Sequence, residues 1–300
     1  MTKLLVGLGR TESGLTDDIE IIDLKSTSTN CTIQANFPMK LWESFGGLGF
    51  HNKPMICGGY PSNKCFSLDG NEWKDSPSMN TTKGFEAVSP SPYPTKSQKF
   101  FVTGGPGNTA EVLTEQGWET LPQLLPVTIH SHCSVLVNST TVMVIGGSQN
   151  DSTSSNTFLF NTEFEIWVKG PQLKTKRVLH SCGRIRKNSQ SQDFSIIVAG
   201  GFDYDASNLS SVEILDLDSK EWRKGPNLPF GIYEAQMVED QSGGVILVGG
   251  FTNSNVFLDT LYQLPHGGAD AEWIKMEQKL NIGRWGHVAF LVPDNIVDCS

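Results

Sequence analysis

Closely spaced histidines are the side chains of this 300-residue chain best suited to binding a metal. His130 and His132 are two residues apart, which would place both imidazoles on one face of a strand, as in half of a zinc or copper site. His180 and His287 stand at related positions, each at the start of another strand. Because the sequence offers no third ligand close to His130 and His132, we expect no metal site and no cofactor.

Six cysteines could form disulfides or remain thiols: Cys31, Cys57, Cys65, Cys133, Cys182 and Cys299. Cys57 and Cys65 flank a short loop between two apolar runs, so a disulfide across a hairpin is geometrically possible there. Cys133 and Cys182 occupy the same position in consecutive repeats, which could bring them near each other. The alternative is that all six are buried thiols that act as small apolar side chains.

The sequence features that bear on the cellular compartment point in two directions. Five Asn-x-Ser/Thr sequons could carry glycans in a secreted protein: Asn30, Asn80, Asn138, Asn150 and Asn208. The first nine residues hold too few apolar side chains for a signal peptide. We therefore expect a cytoplasmic protein if this N-terminus is native, and a secreted one if a signal peptide is missing from the given sequence.

A repeated sequence pattern predicts the β-strands that must position these side chains. An apolar run ends in two glycines, a polar loop and a second strand follow, and a single Trp then precedes a proline. The glycines are Gly58 and Gly59, Gly104 and Gly105, Gly146 and Gly147, Gly200 and Gly201, and Gly249 and Gly250, and the tryptophans are Trp73, Trp118, Trp167, Trp222 and Trp273. The second glycines are spaced 46, 42, 54 and 49 residues apart by subtraction. A period near 50 with several short strands predicts a radially repeated, all-β architecture.

A sixth repeat is divided between the two ends of the chain. Residues 4–9 match the apolar run before the double glycine, with Leu8 in place of the first glycine. The first strand of this repeat is missing there and is supplied by residues 284–292. The sequence therefore predicts six blades of four antiparallel strands, in which the C-terminal strand pairs in the N-terminal blade and closes the ring. We expect one domain over residues 1–300, with blade 1 split between about 1–38 and 283–299.

The repeated glycines and tryptophans have structural roles in this architecture. Each double glycine ends a buried strand where the chain turns sharply or approaches another backbone. Each Trp fills the wedge that opens between two blades toward the rim, and buries on the order of 200 Å². We therefore expect these residues to belong to the core and not to a binding site.

Taken together, the double glycine, the middle strand and the Trp before a Gly/Pro-containing turn resemble the kelch motif, over the whole length of the chain. The resemblance implies a six-bladed kelch β-propeller. Intracellular kelch propellers commonly follow a BTB-type helical module, which is absent from this sequence. The placement of Cys57 and Cys65 is similar to that in secreted invertebrate kelch proteins.

Two kinds of kelch enzyme are compared with the chain. Galactose-oxidase-like enzymes bind copper through tyrosines and histidines, and the five tyrosines here follow no matching pattern. Sialic-acid mutarotases with six kelch blades use a few acidic and basic groups at the central rim, which leave almost no trace in the sequence. This carbohydrate-active type remains the alternative to a non-enzymatic role.

Composition narrows the classes of partner. The net charge is −9 and no broad basic run exists, so a nucleic-acid partner is not expected. No run of about 18 apolar residues could span a membrane.

The preferred function is that of a monomeric scaffold or adaptor that binds a protein or peptide. The connections between second and third strands and those between blades should gather on one side of the propeller, which we call the loop face. Exposed Tyr, Trp and Arg are the side chains that anchor interfaces. The candidate binding residues on the loop face are Arg10, Tyr60, Arg177, Asp203, Tyr204, Phe230, Phe251, Arg284 and Trp285.

Overall fold

The computed structural model describes residues 2–26, 36–82, 100–104, 108–205 and 207–296, together with the backbone strands Cys31–Thr32 and Ala87–Val88. Gly105, Asn30 and Cys299, which figure in the sequence predictions, lie outside the described residues. The described chain is all-β apart from one 3₁₀ turn at Phe50–Asn52. It contains six four-stranded antiparallel sheets, which confirms the predicted six-bladed propeller.

Each blade is a meander whose first strand lies at the central channel and whose fourth lies at the rim. Blade 1 contains Val288–Val292, Lys3–Gly7, Ile19–Asp23 and Cys31–Thr32, and blade 2 contains Ser44–Leu48, Pro54–Gly58, Cys65–Asp69 and Glu72–Ser76. Blade 3 contains Ala87–Val88, Phe101–Gly104, Ala110–Thr114 and Gly117–Thr120, and blade 4 contains Cys133–Asn138, Thr141–Ile145, Thr157–Asn161 and Ile166–Lys169. Blade 5 contains Ser181–Arg186, Phe194–Ala199, Val212–Asp216 and Glu221–Lys224, and blade 6 contains Gln236–Glu239, Val245–Val248, Thr260–Leu264 and Ile274–Lys279.

Among the described residues, four short two-stranded ribbons extend from the loop face. They are formed by Arg10–Thr11 with Gly14–Leu15, Ser148–Gln149 with Ser152–Thr153, Phe202–Asp203 with Ser207–Asn208, and Ile232–Tyr233 with Phe251–Thr252. The described residues contain no helix that is long and apolar enough to cross a membrane.

Blade 1 combines strands from both ends of the chain. Val288–Val292 runs antiparallel to Lys3–Gly7, with Leu5 opposite Phe290. Beyond this pair, the Thr2 hydroxyl donates a hydrogen bond of 3.0 Å to the Asp294 carboxylate. The pairing covers the inner side of Lys3–Gly7, so this strand is not left as an edge of the sheet.

The core is divided into six clusters of apolar side chains, each of which lies between two neighbouring blades. The cluster between blades 4 and 5 includes Met143, Ile145, Ile196 and Val198 from the second strands, all of them fully buried. Strands that are covered on both faces in this way explain the continuous β-branched runs in the sequence. Each blade is therefore held by the apolar faces of its two neighbours.

The double glycines and the repeated tryptophans hold neighbouring segments together. Gly200 and Gly201 have φ of 66° and 96°, and a Cβ atom at Gly201 would lie 2.6 Å from the Val178 carbonyl oxygen. The Trp222 indole donates a hydrogen bond of 2.8 Å to the Pro171 carbonyl of the preceding blade. Trp118, Trp167 and Trp273 make the equivalent bond to Pro77, Gln123 and Pro226, while Trp73 packs against Phe37.

Candidate functional site

The mouth of the central channel on the loop face is formed by a ring of residues with left-handed backbone conformation. Each residue lies one or two positions before the innermost strand of its blade, and their φ values lie between 51° and 59°: Glu43, Ser131, Leu179, Glu234 and Gly286. Backbone amides link the ring from blade to blade. The N–H groups of Leu179, Glu234, Gly286 and Glu43 donate to the carbonyls of Ser131, Leu179, Glu234 and Gly286 at 2.9, 2.9, 3.3 and 2.7 Å. The ring therefore holds five blades in register around the mouth.

Below this ring lies a cavity of about 360 Å³, lined by the innermost strands. Its volume falls within the usual range for small-molecule sites. At the far end of the innermost strands the Arg184 guanidinium is paired with Glu239 at 3.2 Å. Arg184 follows Leu179 of the ring by five residues, a distance of about 16 Å along an extended strand.

Two carboxyl groups, those of Glu43 and Glu234, stand on either side of Gly286 at the mouth. A Cβ atom at Gly286 would lie 2.9 Å from Glu234 Oε2 and 3.8 Å from Glu43 Cγ. Both oxygens of Glu43 and Oε2 of Glu234 are buried and accept no hydrogen bond. Burial raises the pKa of Glu43 to about 8, and burial together with the charge of Glu43 raises the pKa of Glu234 well above its usual value. Near neutral pH the pair therefore carries less than its formal charge.

This shift predicts a pH dependence of stability. The folded chain holds a proton on Glu43 up to a pKa of about 8, whereas the unfolded chain releases it near 4.5. The free energy of unfolding should therefore fall as the pH rises from about 4.5 to about 8, by about 2 kcal/mol if water at the open mouth screens part of the shift. The variant Glu43→Gln should reduce this decline in urea denaturation curves. The matched variant Glu12→Gln, at an exposed position of the same face, should keep the wild-type slope, and equal slopes in all three proteins would contradict the assignment.

Five aromatic side chains form a continuous surface around one side of the mouth. We call Phe202, Tyr233, Phe251, Trp285 and Trp42 the aromatic belt; it runs from blade 5 through blades 6 and 1 to blade 2. Ring centroids are 6.3 Å apart for Phe202 and Tyr233, 5.7 Å for Tyr233 and Phe251, 6.1 Å for Phe251 and Trp285, and 5.5 Å for Trp285 and Trp42. All five side chains are partly exposed. These distances are typical of edge-to-face and tilted aromatic pairs.

Backbone pairing on the loop face fixes the belt. A residue of the incoming connection pairs with the residue that follows the double glycine or, in blade 1, with the residue that follows Leu8-Gly9. Arg10 and Trp285 exchange two backbone hydrogen bonds of 2.9 and 3.1 Å, and Tyr233 lies opposite Phe251 in the same arrangement. The pairing also places the Arg10 guanidinium over the Trp285 ring, 5.9 Å from its centroid. Phe202, Tyr233, Phe251 and Trp285 thus lie in β pairs, and the Trp42 carbonyl accepts a backbone hydrogen bond from Tyr60.

The structure brings several of the predicted binding residues together. Arg10, Phe251 and Trp285 meet at the belt, and Tyr204 contacts Phe202 with a centroid distance of 5.8 Å. Tyr60 follows Gly59 beside Trp42, to whose carbonyl its backbone N–H donates at 3.1 Å. Tyr60 and Tyr204 are 54% and 49% exposed, so both flank the belt as open side chains.

Two other predicted residues on the loop face are tied to neighbouring side chains. Asp203 is buried and lies 3.6 Å from the ammonium of Lys176, which also pairs with Asp205. Phe230 packs edge-on against Tyr262 at 5.7 Å and against the core between blades 5 and 6. Neither side chain is part of the belt.

The prediction that Arg177 and Arg284 are binding residues on the loop face is wrong, because both side chains are buried. They are 0% and 1% exposed. The Arg177 guanidinium binds Glu213 at 2.9 Å and the Gly200 carbonyl at 2.7 Å. Arg284 binds Glu20 at 3.0 Å. Both arginines therefore belong to buried ion pairs that anchor an incoming connection to the third strand of a blade.

The sequence analysis missed Glu43, Glu234, Trp42 and Tyr233. A signal was present, because an aromatic residue precedes a ring residue in three blades: Trp42-Glu43, Tyr233-Glu234 and Trp285-Gly286. Superposing the incoming connections of the repeats, rather than their double glycines, shows this pattern.

His132, His180 and His287 are buried, whereas His130 is partly exposed. His132 Nε2 lies 2.8 Å from the Thr103 hydroxyl. Burial and the nearby Arg284 lower the pKa of His287 to about 3, and burial with the nearby Arg177 lowers that of His180 well below its usual value. Within the part of the chain that the structure describes, no group of three or more His, Cys, Asp or Glu side chains could hold a metal ion.

Two disulfides are present among the described cysteines. Cys57 and Cys65 are joined across the second and third strands of blade 2, with Cα atoms 4.1 Å apart. Cys133 and Cys182 join the innermost strands of blades 4 and 5, with Cα atoms 6.0 Å apart. One disulfide thus lies within a blade and the other lies between two blades.

Comparison with known proteins identifies the repeat. Residues 195–229, which include Gly200, Gly201 and Trp222, match the family model of the kelch motif. The chain is thus a six-bladed β-propeller that carries a kelch motif in blade 5. No curated protein matches it in sequence. Among solved structures, the propeller is similar to the one described as "Structure of YjhT", with a TM-score of 0.71 and 12% identity over 88% of this chain and 92% of that chain. At this identity the similarity supports the fold alone.

Proposed function

We propose that this kelch propeller is a non-enzymatic recognition module that binds a protein or peptide on the aromatic belt. The observation that supports this proposal is the belt, in which five partly exposed aromatic side chains lie next to one another across four blades. Aromatic side chains and arginine dominate the binding energy of protein interfaces, and here Arg10 stacks on Trp285 within the belt. The exposed Tyr60 and Tyr204 extend the surface on both sides.

Alanine variants of the loop face test this function. We expect Trp285→Ala, and separately the double variant Tyr60→Ala with Tyr204→Ala, to weaken partner binding by at least about tenfold. The control is Phe164→Ala, which is 72% exposed on the hairpin between the third and fourth strands of blade 4, on the opposite face. The measurement is the quantitative recovery, from the native source, of proteins bound to each immobilised variant, with folding checked by thermal melting.

Two outcomes decide the test. Proteins that are recovered by the wild type and by Phe164→Ala, but lost with both belt variants, would support recognition through the loop face. Equal recovery by all variants would exclude it. The double tyrosine variant should remain folded even if Trp285→Ala does not, because the side chains of Tyr60 and Tyr204 are both exposed.

We also propose that recognition takes place in an oxidising compartment. Support comes from the two disulfides, since structural disulfides are rare in cytosolic proteins. Intact mass after alkylation without reduction should show no adduct on Cys57, Cys65, Cys133 or Cys182 in protein from its native source. Alkylation of all four cysteines would contradict this proposal and would indicate a reducing compartment.

The carbohydrate-active alternative, of the sialic-acid mutarotase type, is favoured by one observation. The carboxyl pair of Glu43 and Glu234 opens onto a cavity of small-molecule size. However, the Arg184 guanidinium that could hold a sugar carboxylate is paired with Glu239 and lies about 16 Å along the strand from the ring. Because the carboxyl groups of Glu43 and Glu234 do not converge with the Arg184 guanidinium, we prefer recognition of a protein. Saturation-transfer NMR with free sialic acid separates the two functions, since a mutarotase must bind that sugar and a recognition module need not.

A further inference from the structure

Three consecutive ring positions form a small recess at the centre of the aromatic belt. We call Glu234, Gly286 and Glu43, on blades 6, 1 and 2, the acidic notch. The middle position has no side chain, and an added Cβ atom there would come within 2.9 Å of Glu234 Oε2. Gly286 therefore keeps open the space into which the two carboxyl groups project.

The carboxyl groups of the notch differ from the buried carboxyl groups in the third strands of blades 1 and 5. Glu20 and Glu213 each bind an arginine and accept backbone hydrogen bonds. Glu43 and Glu234 have no ion pair with a described residue, and three of their four oxygens are buried without any donor. Buried polar atoms without partners are costly, so the notch is a site that a donor-rich cation would stabilise.

Each position of the notch follows an aromatic residue of the belt in the chain. Tyr233, Trp285 and Trp42 directly precede Glu234, Gly286 and Glu43 in the chain. The faces of aromatic rings attract cations, and guanidinium groups stack on indoles. This structure already contains such a pair, in which Arg10 lies over Trp285.

We propose that an arginine side chain of the protein partner binds in the acidic notch, with its guanidinium between Glu43 and Glu234 and its stem against the belt. The proposal rests on the proposed recognition function and names the chemistry of the partner. Guanidinium is favoured over ammonium because it offers five N–H donors in a plane, enough for the three oxygens that lack a donor. The net charge of −9 also favours a cationic partner.

Binding of this kind must be linked to protons. The titratable groups at the notch are Glu43, Glu234 and Tyr233, and Arg10 is the cation that contacts the belt. A bound guanidinium favours the ionised carboxylates, so protons held by the pair in the free protein are released. Arginine binding should therefore become tighter as the pH rises from 6 to about 8.

The test uses the full chain and two small probes, N-acetyl-arginine amide and its neutral isostere N-acetyl-citrulline amide. Titration calorimetry in two buffers of different ionisation enthalpy should show that arginine binds at least about tenfold tighter than citrulline, with proton release at pH 7. Glu43→Gln and Glu234→Gln should each weaken arginine binding by about tenfold. Glu12→Gln removes one charge from an exposed position of the same face and should leave the affinity unchanged.

Several results would overturn the proposal. They are the absence of saturable arginine binding, equal binding of arginine and citrulline, and equal losses in Glu12→Gln and Glu43→Gln. Both notch variants keep the shape of the side chain and remove a buried carboxyl, so they should remain folded. If the amide does not bind while Trp285→Ala still loses the natural partner, the notch assignment alone fails. If the amide binds while the belt variants keep the partner, the recognition function fails instead.

Discussion

Replacement of Arg284 by methionine should lower the free energy of unfolding by about 3–5 kcal/mol. Arg284 lies in the connection into the C-terminal strand, and its guanidinium binds Glu20 near the other end of the chain at 3.0 Å. It also donates to the Leu8 carbonyl at 3.1 Å. Without the arginine, the Glu20 carboxylate stays buried and keeps the backbone N–H of Asn281 at 2.8 Å as a donor but loses its counter-charge. Urea denaturation at pH 7 measures the loss.

The control for this prediction removes both charges. The double variant Arg284→Met with Glu20→Leu should recover much of the lost stability, because buried ion pairs replaced by apolar side chains of similar volume are often neutral in stability. The pair Arg177 and Glu213 in blade 5 is buried in the same way, and Arg177→Met should cost a similar amount. A loss below about 1 kcal/mol in both single variants would show that the two carboxylates do not depend on their arginines.

The fold could be predicted because its signals repeat. Gly200 and Gly201 are informative as one of five copies, and the same is true of Trp222. The requirement that every blade has four strands also identified the Val288–Val292 segment as the first strand of the incomplete repeat. Five copies of a motif therefore predict the fold more reliably than any single copy does.

The functional site could be predicted only in part, because it depends on the closure of the ring. Arg10, Phe251 and Trp285 were found as unusual side chains next to the glycine pairs or in the connections between blades. Glu43 and Glu234 are 191 residues apart by subtraction, and nothing in either local sequence shows that Gly286 separates them in space. Their lack of partners is a property of the assembled mouth.

Arg177 and Arg284 were wrongly predicted to be binding residues. An arginine next to a turn resembles an exposed binding residue when it is considered alone. Its role becomes evident only with the glutamate in the third strand of the same blade, at Glu213 or Glu20, whose sequence neighbours are apolar. A charged residue inside a β-branched run requires a buried counter-charge, and this requirement would have identified the pairs.

The disulfide between Cys133 and Cys182 should contribute more stability than the one between Cys57 and Cys65. The first spans 49 residues and the second spans 8, so the chain entropy that each removes from the unfolded state differs. The loop-closure relation gives about 4 kcal/mol for the longer loop and about 2.5 kcal/mol for the shorter one. We therefore expect Cys133→Ala with Cys182→Ala to lower the guanidinium midpoint further than Cys57→Ala with Cys65→Ala does.

Each double variant is the matched control of the other, because each removes two buried sulfurs and one covalent bond. Reduction of the wild type should bring its midpoint close to that of a variant lacking all four cysteines, which separates the bond from the packing of the sulfur atoms. The Cys133–Cys182 bond also joins the innermost strands of blades 4 and 5, whose apolar faces pack together around it. If the two double variants lose equal stability, or the order is reversed, loop length does not govern the contribution and native packing around each sulfur pair does.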